Sequence, residues 1–487
     1  MTRYSIVLGV VLAYSLWAED LSRSVVSVTV TRQELEFYSP WKRGKVDKKL
    51  LTGCVIEGNR ILTIAHPMTN HVFVEVSKHG DRRMYTADVI LKDYHIGLAL
   101  LTVKDASFFQ DLKPARFAPP GPPRGRVVVA KWDDYGTYKQ YGAETFKTAI
   151  GFYKSGGAVL LHHMTTSLDL GGNGEPVFAD SQLVGVTSFF DSGRKTIQVC
   201  AIDTINRLLR DLEDGKYDGL PFFYLNQVYL TSDENLRAYL GLGPGDTGML
   251  VNGVYPRTSG HDVLKEGDVI LSVDGKDIDD RGLYEAPPYG KLNFYGLISL
   301  RHFVGDELNL CILRDRKKID VSFRLRAIGT DCFLIPLEDY DTPPQYYILG
   351  GLVFQELTEG YMTMWGNDWR KKVDKRLLYL YDGFRLRPSA ECERIVILNR
   401  ALPASVNVAY HEHKNLVLLR VNGQRVRDLK HFKELVESSD DPFYRFNFQG
   451  GYTIVLAREA ALQSEADILT KYNIITKSYI EPVGAPP

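Results

Sequence analysis

The sequence predicts a mainly β protein, with an N-terminal barrel or sandwich followed by two small, related α+β domains. Residues 21 to about 200 hold many short β-branched runs separated by Gly, Pro and Asp. A helical period appears only afterwards, and the C-terminal half then repeats one pattern of strand, tight turn, helix and hairpin. A chain of 487 residues is long enough for two to four domains.

Composition excludes several function classes. The 59 basic residues balance 60 acidic ones, a formal net charge of -1, so the chain lacks the basic footprint of a nucleic-acid-binding protein. Five scattered cysteines do not form a disulfide framework, and no Cys or His cluster has metal-ligand spacing. We therefore expect no nucleic-acid partner, no metal and no cofactor.

The N-terminus has the features of a secretory signal peptide, predicted over residues 1–18. Arg3 is followed by an apolar run from Ile6 to Leu16, and the small Ala18 precedes an acidic pair. A buried N-terminal helix is the alternative. The sequence thus predicts export to the periplasm or cell envelope, and no later run is long and apolar enough to span a membrane in the mature chain.

The first domain is predicted over residues 19–219. Within it, residues 53–66 contain two apolar strands joined by a turn, "GCVIEGNRILTIAH". The helical stretch comes last, with Asp203 as a plausible N-cap and Gly215 as a plausible stop.

Two stretches of the C-terminal half share one pattern, "DVILSVDGKDI" (268–278) and "LVLLRVNGQRV" (416–426). Asp-Gly and Asn-Gly favour the tight turn of a hairpin, because both residues adopt positive φ at low cost. Each stretch is followed by a candidate helix and then a strand pair. The repetition predicts related domains over 220–328 and 329–487, the second with a C-terminal extension.

These pieces resemble the HtrA/Do (Deg) family of serine proteases. The resemblance is carried by "ILTIAHPM", "HIGLALLTV", "GGNGEPVF" and "VLKEGDVILSVDGKDI". "PPQYYILGGLVFQELTEGYM" is similar to the second PDZ domain of the two-PDZ branch that includes plant Deg proteins. The resemblance implies a trypsin-like double β-barrel followed by two PDZ-like α+β domains.

The same resemblance implies a degenerate catalytic triad. His66 occupies the position of the general base, Gly97 that of the aspartate and Asn173 that of the nucleophilic serine. Glycine cannot orient an imidazole, and an amide is no nucleophile for acyl transfer. Glu175 adds a negative charge beside the loop that should bind an oxyanion. His66 is then a remnant, and the chain is predicted to be a proteolytically inactive homologue.

Other residues could substitute for the lost ones. Asp88 or Asp93 could orient His66. Ser167 and Ser181 flank the nucleophile loop, but they lie too far along the chain to replace Asn173 without a rearrangement of that loop. An active, ATP-independent serine endopeptidase of periplasmic protein quality control is therefore the alternative function. A structural scaffold of the envelope is a third.

PDZ domains bind an extended peptide as an added strand at a sheet edge. In the first domain the predicted loop and edge strand lie in "LGLGPGDTGMLV"; in the second, "ILGGLVF" resembles the glycine-containing PDZ loop. The predicted binding residues are Gly243, Met249, Leu250, Val251, Gly350, Gly351, Leu352 and Phe354. The alternative is that these loops are structural or filled by the protein itself.

The expected partners are polypeptide clients or C-terminal peptides, and the expected role is that of a chaperone, adaptor or regulator. The resemblance to the family also implies a homo-oligomer, either a trimer or a multiple of one.

Overall fold

The computed structural model describes residues 21–81, 83–133, 137–154, 156–166, 171–230, 233–337 and 340–480. The predicted signal peptide lies outside the described residues. The chain divides into two compact units. Of the described residues, the first takes in those up to Arg32, those of Val46–Val254 and those of Thr258–Ile328, and the second takes in Gln33–Lys45, Tyr255–Arg257 and those from Gly329 onward.

The first barrel is a closed antiparallel sheet with the strand order β1-β2-β3-β6-β5-β4. Alternate side chains of its strands point inward and form a buried core that includes Val28, Ile61, Val76 and Leu101. The strands are β1 (Val25–Leu35), β2 (Arg43–Ile56), β3 (Arg60–Ile64), β4 (His71–Lys78), β5 (Tyr85–Asp93) and β6 (Leu98–Val103).

The second barrel closes in the order β10-β11-β12-β9-β8-β7. Helix α1 (Ile202–Asp211) follows it directly and buries Ile205 and Leu208 in the core shared with both barrels. The strands are β7 (Arg126–Trp132), β8 (Tyr138–Phe152), β9 (Ala158–Thr166), β10 (Pro176–Ala179), β11 (Gln182–Asp191) and β12 (Thr196–Ala201).

The first α+β sheet completes the first unit, with the order β13-β14-β15-β19-β20 and β16 paired to β15. Its helix α3 (Tyr295–Arg301) packs against the second barrel, where Leu297 and Ile298 share a core with Leu160. The elements are β13 (Leu225–Tyr229), α2 (Glu234–Leu240), β14 (Met249–Val254), β15 (Val269–Val273), β16 (Lys276–Asp277), β17 (Leu283–Glu285), β18 (Lys291–Asn293), α3 (Tyr295–Arg301), β19 (Glu307–Arg314) and β20 (Lys317–Arg324).

The second unit contains a larger sheet with the order β27-β26-β24-β23-β22-β21-β28, and β25 pairs with β24. The elements are β21 (Tyr346–Leu349), β22 (Leu352–Glu356), α4 (Glu359–Thr363), α5 (Trp369–Lys372), α6 (Lys375–Phe384), β23 (Val396–Ala401), β24 (Lys414–Val421), β25 (Gln424–Arg425), α7 (Leu429–Glu437), β26 (Phe443–Phe448), β27 (Thr453–Ala457), α8 (Arg458–Gln463), α9 (Glu465–Lys471) and β28 (Ser478–Tyr479).

The two α+β sheets follow the same plan. Strands β13-β14-β15-β19-β20 of the first sheet correspond in order to β22-β23-β24-β26-β27 of the second. The predicted turns lie at equivalent places, because Val273 pairs with Lys276 and Val421 pairs with Gln424 across two residues of positive φ each. The second sheet differs by the two strands that lie outside β22, namely β21 and β28.

The predicted fold class is confirmed: the protein is mainly β, with two barrels followed by two α+β sheets. The domain boundaries stay predictions. Within the described part of the chain, no helix has the length and apolar character needed to cross a membrane. In the same residues, no three or more His, Cys, Asp or Glu side chains come together in a group that could hold a metal ion.

Candidate functional site

The three predicted triad positions lie in one region of the double barrel. His66 begins a short 3-10 helix directly after β3, and the N–H of Ala65 donates to the Gly97 carbonyl at 2.9 Å. The loop that carries Asn173 reaches β2, where the Thr52 N–H donates to the Asn173 carbonyl at 2.9 Å. A Cβ added at the next residue, Gly174, would lie 2.7 Å from the Thr63 hydroxyl on β3.

The space beside Gly97 is filled by Tyr153. A Cβ added at residue 97 would lie 2.6 Å from the Tyr153 hydroxyl oxygen, and the backbone at Gly97 has a φ of +72°. The Tyr153 ring stacks on the His66 ring, with centroids 5.0 Å apart and planes at 25°. Burial raises the pKa of the Tyr153 phenol, which therefore stays neutral. A phenol ring thus occupies the position from which a carboxylate at residue 97 would have to act.

The His66 imidazole is held neutral by its surroundings. Burial lowers its pKa below the usual 6.5, and this effect is opposed in part by the charge of Asp93. One Asp93 oxygen accepts N–H bonds from His95 and Ile96, the latter at 3.0 Å, and the other accepts the Tyr217 hydroxyl. Asp93, one of the two substitutes considered from the sequence, is thus engaged by donors other than His66. Asp88, the other, forms an ion pair with Lys104 at 3.2 Å.

The backbone amide at the predicted serine position is already hydrogen-bonded. Glu175 is 1% exposed, and its Oε2 accepts the Asn173 N–H at 2.8 Å. The Thr187 hydroxyl donates to the same oxygen and accepts the Glu175 N–H at 2.9 Å. In trypsin-like enzymes the N–H of the nucleophilic residue is one of the oxyanion donors. Here the corresponding N–H, that of Asn173, is hydrogen-bonded to the buried carboxyl group of Glu175.

Of the serines that flank the nucleophile loop, Ser167 lies outside the described residues. Ser181 lies in the turn between β10 and β11, with a φ of +61°. The sequence indicated the residue types around His66, whereas the contacts of Tyr153 and Glu175 became visible only in the fold.

The predicted edge strand of the first α+β sheet is an interior strand. Met249 pairs with Tyr229 on one side and with Ile270 on the other, and Leu250 is likewise paired on both sides. Val251 pairs with Gln227, and its N–H donates to the Asp268 carbonyl at 2.8 Å. The prediction that these three residues receive a peptide is therefore wrong. Their continuous apolar run is typical of a strand with neighbours on both sides.

The loop predicted to cradle a carboxylate is closed on itself. The Gly243 N–H donates to Oδ2 of Asp246 at 2.8 Å, and the Asp246 carboxylate also pairs with Lys318 at 2.8 Å. Gly243 is therefore a turn residue bonded to its own loop, and the prediction of a ligand cradle there is wrong.

Strand β13 is the edge that sequence reasoning missed. In the described part of the sheet it pairs only with β14, so its outer side is the place where an added strand would bind. Tyr295, at the start of α3, donates its hydroxyl to Gln227 of β13 at 3.3 Å. Residues 225–229 read "LNQVY", and the neighbouring Val and Tyr, which are enriched in strands, are the signal that could have found this strand.

The predicted loop of the second sheet is a two-residue hairpin turn. Gly350 and Gly351 have φ values of +54° and +81° and connect Leu349 to its partner Leu352. The Gly350 carbonyl accepts the Asn407 side-chain amide at 2.8 Å, and the Gly351 carbonyl accepts the Leu402 N–H at 2.7 Å. The two glycines therefore do not form an open cradle, which corrects the prediction and favours the alternative of a structural loop.

The strand after this turn is covered by the chain itself. Leu352 and Phe354 of β22 are fully buried, and β22 pairs with β21 on one side and β23 on the other. Strand β21 also contacts α7, where the Tyr347 ring lies 5.7 Å from that of Phe432 and its hydroxyl donates to Glu437 at 3.1 Å. Residues 346–349 thus lie between β22 and α7, where β22 would otherwise present a free edge.

Comparison with known proteins agrees with this architecture. Residues 335–478 match the PDZ domain family. The chain is 27% identical over 459 residues to "Protease Do-like 4, mitochondrial" of Arabidopsis thaliana, covering 93% of this chain and 84% of that protein. It is 28% identical over 480 residues to "Protease Do-like 2, chloroplastic" of the same organism, covering 94% and 76%.

Solved structures show the same fold. The HtrA-type protease AlgW in complex with a tripeptide superposes with a TM-score of 0.51 at 15% identity, over 65% of this chain and 97% of that one. A variant of AlgW with a decapeptide gives 0.52 at 14% identity, over 65% and 98%. The chain is therefore a homologue of the Do-like, HtrA-type serine proteases that carries a PDZ domain.

Proposed function

We propose that this homologue binds polypeptide segments without cleaving them, as a chaperone, adaptor or regulator. The observation that carries the proposal is the hydrogen bond from the Asn173 N–H to the buried Glu175 carboxyl group at 2.8 Å. A trypsin-like site needs a nucleophile, an oriented base and free oxyanion donors. Residue 173 supplies an amide in place of a hydroxyl, and its N–H is taken by a group that would oppose an oxyanion.

The contact between Gly97 and Tyr153 supports the same proposal. Proteolysis with the His66 imidazole as base requires a carboxylate behind it, and the phenol ring of Tyr153 fills that space. Loss of a single triad member typically lowers the rate by about 10⁴-fold or more. Because nucleophile, orienting acid and oxyanion donor are all affected, we expect no measurable turnover.

The binding site that we propose is the outer edge of β13 in the first α+β sheet. Strand addition at a PDZ edge satisfies the main-chain groups of a peptide and so tolerates many sequences. AlgW has been solved with a tripeptide and with a decapeptide, which supports peptide binding by this fold. The equivalent edge of the second sheet is β22, which β21 covers.

Cleavage assays separate this proposal from an active serine endopeptidase. The purified chain and its His66→Ala variant are incubated with casein and with a peptide library. We expect no cleavage by either protein. Cleavage by the unaltered chain that disappears in the variant would overturn the proposal and establish the protease.

Hydrogen exchange during a peptide titration tests the binding site. A library of C-terminal peptides is first screened for binding to the full chain. Amide exchange of the chain is then measured with and without each peptide that binds. We expect slower exchange in residues 225–229 and unchanged exchange in residues 352–356, which serve as the internal control. Absence of binding by any peptide would favour the structural scaffold.

Export and self-assembly belong to the same proposal. Cleavage after residue 18 is read by N-terminal sequencing of protein recovered from the secreting host. A trimer or a multiple of one is measured by light scattering during size-exclusion chromatography. A cytosolic chain with an intact N-terminus would contradict the proposed export. A strict monomer would contradict the proposed self-assembly.

A further inference from the structure

A short segment of the chain lies in the second unit in the manner of a bound peptide. Residues 37–41 have the sequence Phe-Tyr-Ser-Pro-Trp. They lie within Gln33–Lys45, which belongs to the same compact unit as the C-terminal sheet. The Lys42 N–H donates to the Ser39 carbonyl at 2.8 Å, which closes a turn with Pro40 at its second position. Proline favours that position because its φ is already fixed near the required value.

The backbone of this segment is recognised by a buried amide. Asn399 of β23 is fully buried, and its Nδ2 donates to the Phe37 carbonyl at 3.3 Å and to the Tyr38 carbonyl at 3.1 Å. The same nitrogen donates to Gln355, a residue that is 1% exposed, so the amide is oriented from beneath. A side-chain amide that bonds consecutive carbonyls recognises main chain in a particular conformation and is independent of sequence.

The side chains of the segment supply specificity. The guanidinium of Arg400 lies 4.5 Å from the Tyr38 ring centroid and 5.5 Å from that of Trp41, and it donates to the Ser39 hydroxyl at 2.8 Å. Contacts of a guanidinium with aromatic rings at these distances are attractive, and they strengthen when the groups are shielded from water. Arg400 thus contacts three of the five residues.

The two ends of the segment are anchored by aromatic rings. The Phe37 ring packs where residue 360 has no side chain, because a Cβ added at Gly360 would lie 2.4 Å from the ring. The Trp41 ring meets Tyr346 edge-on, with centroids 6.1 Å apart. Aromatic anchors in fitted contacts around a central Arg are the usual composition of a binding hot spot.

We propose that Asn399, Arg400, Gly360 and Tyr346 form a peptide-recognition site for turn-forming segments of the pattern aromatic-aromatic-Ser-Pro-aromatic. In the structure the chain's own residues 37–41 fill this site. When these residues leave it, the site accepts a segment of the same pattern from another polypeptide. The site is separate from the β13 edge and does not rest on the proposed function.

A vacated variant tests the site. Phe37, Tyr38 and Trp41 are replaced by Ala in the full chain, and a fluorescein-labelled peptide of residues 35–43 is titrated while its anisotropy is measured. We expect the triple variant to bind the peptide at least about tenfold more tightly than the unaltered chain does, a difference of about 1.4 kcal/mol. Adding Arg400→Ala to the triple variant should lose that gain, and a scrambled peptide should not bind.

Equal binding by the unaltered and vacated chains, or binding unaffected by Arg400→Ala, would overturn the proposal, as would absence of binding to a folded triple variant.

If the triple variant does not fold, limited trypsinolysis of single variants gives a second test. Lys42 and Arg43 are exposed, so trypsin reaches them once the segment is released. Arg400→Ala should raise the cleavage rate at these residues at least about tenfold. That factor corresponds to a decrease of about 1.4 kcal/mol in the free energy needed to release the segment. The control Arg420→Ala, on the neighbouring strand, should leave the rate unchanged, and an unchanged rate in Arg400→Ala would contradict the site.

Discussion

Single residues around His66 account for most of what distinguishes this site from that of a protease. Glycine at position 97 and asparagine at position 173 are visible in the sequence, but their consequences are set by neighbours far along the chain. Tyr153 fills the space beside Gly97, and Glu175 takes the Asn173 N–H. Sequence reasoning predicted the missing groups, and it had no means of predicting what replaced them.

The contact between Gly97 and Tyr153 should be measurable as a loss of stability. Gly97→Ala is expected to lower the free energy of unfolding by about 1–3 kcal/mol more than Gly125→Ala, because overpacking of this kind costs that amount. Both glycines have nearly the same φ, +72° and +73°, but a Cβ at Gly125 meets nothing within 4 Å. Urea unfolding of the two variants measures the difference, and equal losses would show that Tyr153 moves aside without cost.

Replacing the amide alone should not create a protease. Asn173→Ser is expected to leave casein intact and to stay unlabelled by a fluorophosphonate, because the His66 base has no carboxylate at position 97 and the residue 173 N–H is bonded to Glu175. Asn173→Ala is the matched control. Labelling of the serine variant above this control would mean that the site retains a working base.

Acid should destabilise the protein through His162. This side chain of β9 is fully buried, with Nδ1 2.9 Å from the Thr148 hydroxyl, and burial lowers its pKa to about 4. Between the usual pKa near 6.5 and that value, only the unfolded chain takes up the proton. Stability should therefore fall as the pH falls from 6.5 to 4, by about 3 kcal/mol from this group.

Urea midpoints at pH 7 and pH 4.5 measure this dependence in His162→Gln. The variant should lose most of the His162 contribution. His163→Gln, which alters the half-buried neighbouring residue on the opposite face of the strand, should remove less of the pH dependence, because burial of His162 is the larger cause of its lowered pKa. An unchanged pH dependence in His162→Gln would contradict the assignment.

Individual elements were predicted well where a local pattern decided them and poorly where the pattern fitted two structures. The turns at Asp274-Gly275 and Asn422-Gly423 and the helices α3 and α7 lie where the sequence indicated. The resemblance of "ILGGLVF" to a PDZ loop predicts a binding loop, although two glycines between apolar runs equally indicate a tight hairpin. Only the pairing of Leu349 with Leu352 distinguishes the two.

The hairpin between β21 and β22 should be more sensitive to substitution than its counterpart between β24 and β25. Gly351 and Gly423 both occupy the second turn position, with φ values of +81° and +83°. A Cβ at Gly351 would lie 2.6 Å from the Leu402 carbonyl oxygen, whereas one at Gly423 meets nothing within 4 Å. Either substitution to Ala should cost about 1–2 kcal/mol for the left-handed backbone, and Gly351→Ala should cost about 1–3 kcal/mol more. Denaturant unfolding followed by tryptophan fluorescence measures both, and equal costs would contradict this reading of the turn.

At the scale of the whole molecule, the first unit joins the double barrel to the first α+β sheet through a buried charge. Arg207 of α1 is fully buried and donates to Asp211 at 3.2 Å, to the Gly219 carbonyl at 2.7 Å and to the His302 carbonyl at 3.4 Å. Its guanidinium also lies 4.8 Å from the Phe303 ring centroid. The predicted boundary near residue 219 therefore lies among contacts that hold the two parts together.

Removing this arginine should destabilise the first unit strongly. Arg207→Ala leaves the buried Asp211 without its cation and is expected to cost about 3–5 kcal/mol. Arg210→Ala, an exposed residue one turn further on that also contacts Phe303, should cost less than about 0.5 kcal/mol. Calorimetry of both variants, together with the double variant Arg207→Met and Asp211→Leu, measures the effect. The double variant should recover part of the loss, and a small loss in Arg207→Ala would contradict a structural role for this pair.

The strand that covers β22 has a consequence for competition. Residues 346–349 are joined to β22 by only two residues, so their local concentration at that edge is fixed by the turn and not by diffusion. Even a flexible linker gives an effective concentration on the order of millimolar. A rigid two-residue turn that matches the distance between the strands gives a higher effective concentration. A free peptide making the same contacts would have to exceed this effective concentration to displace the strand. The edge of β22 therefore contributes to the stability of the chain, and a substitution in β21 that weakens the pairing should destabilise the fold before it admits a ligand.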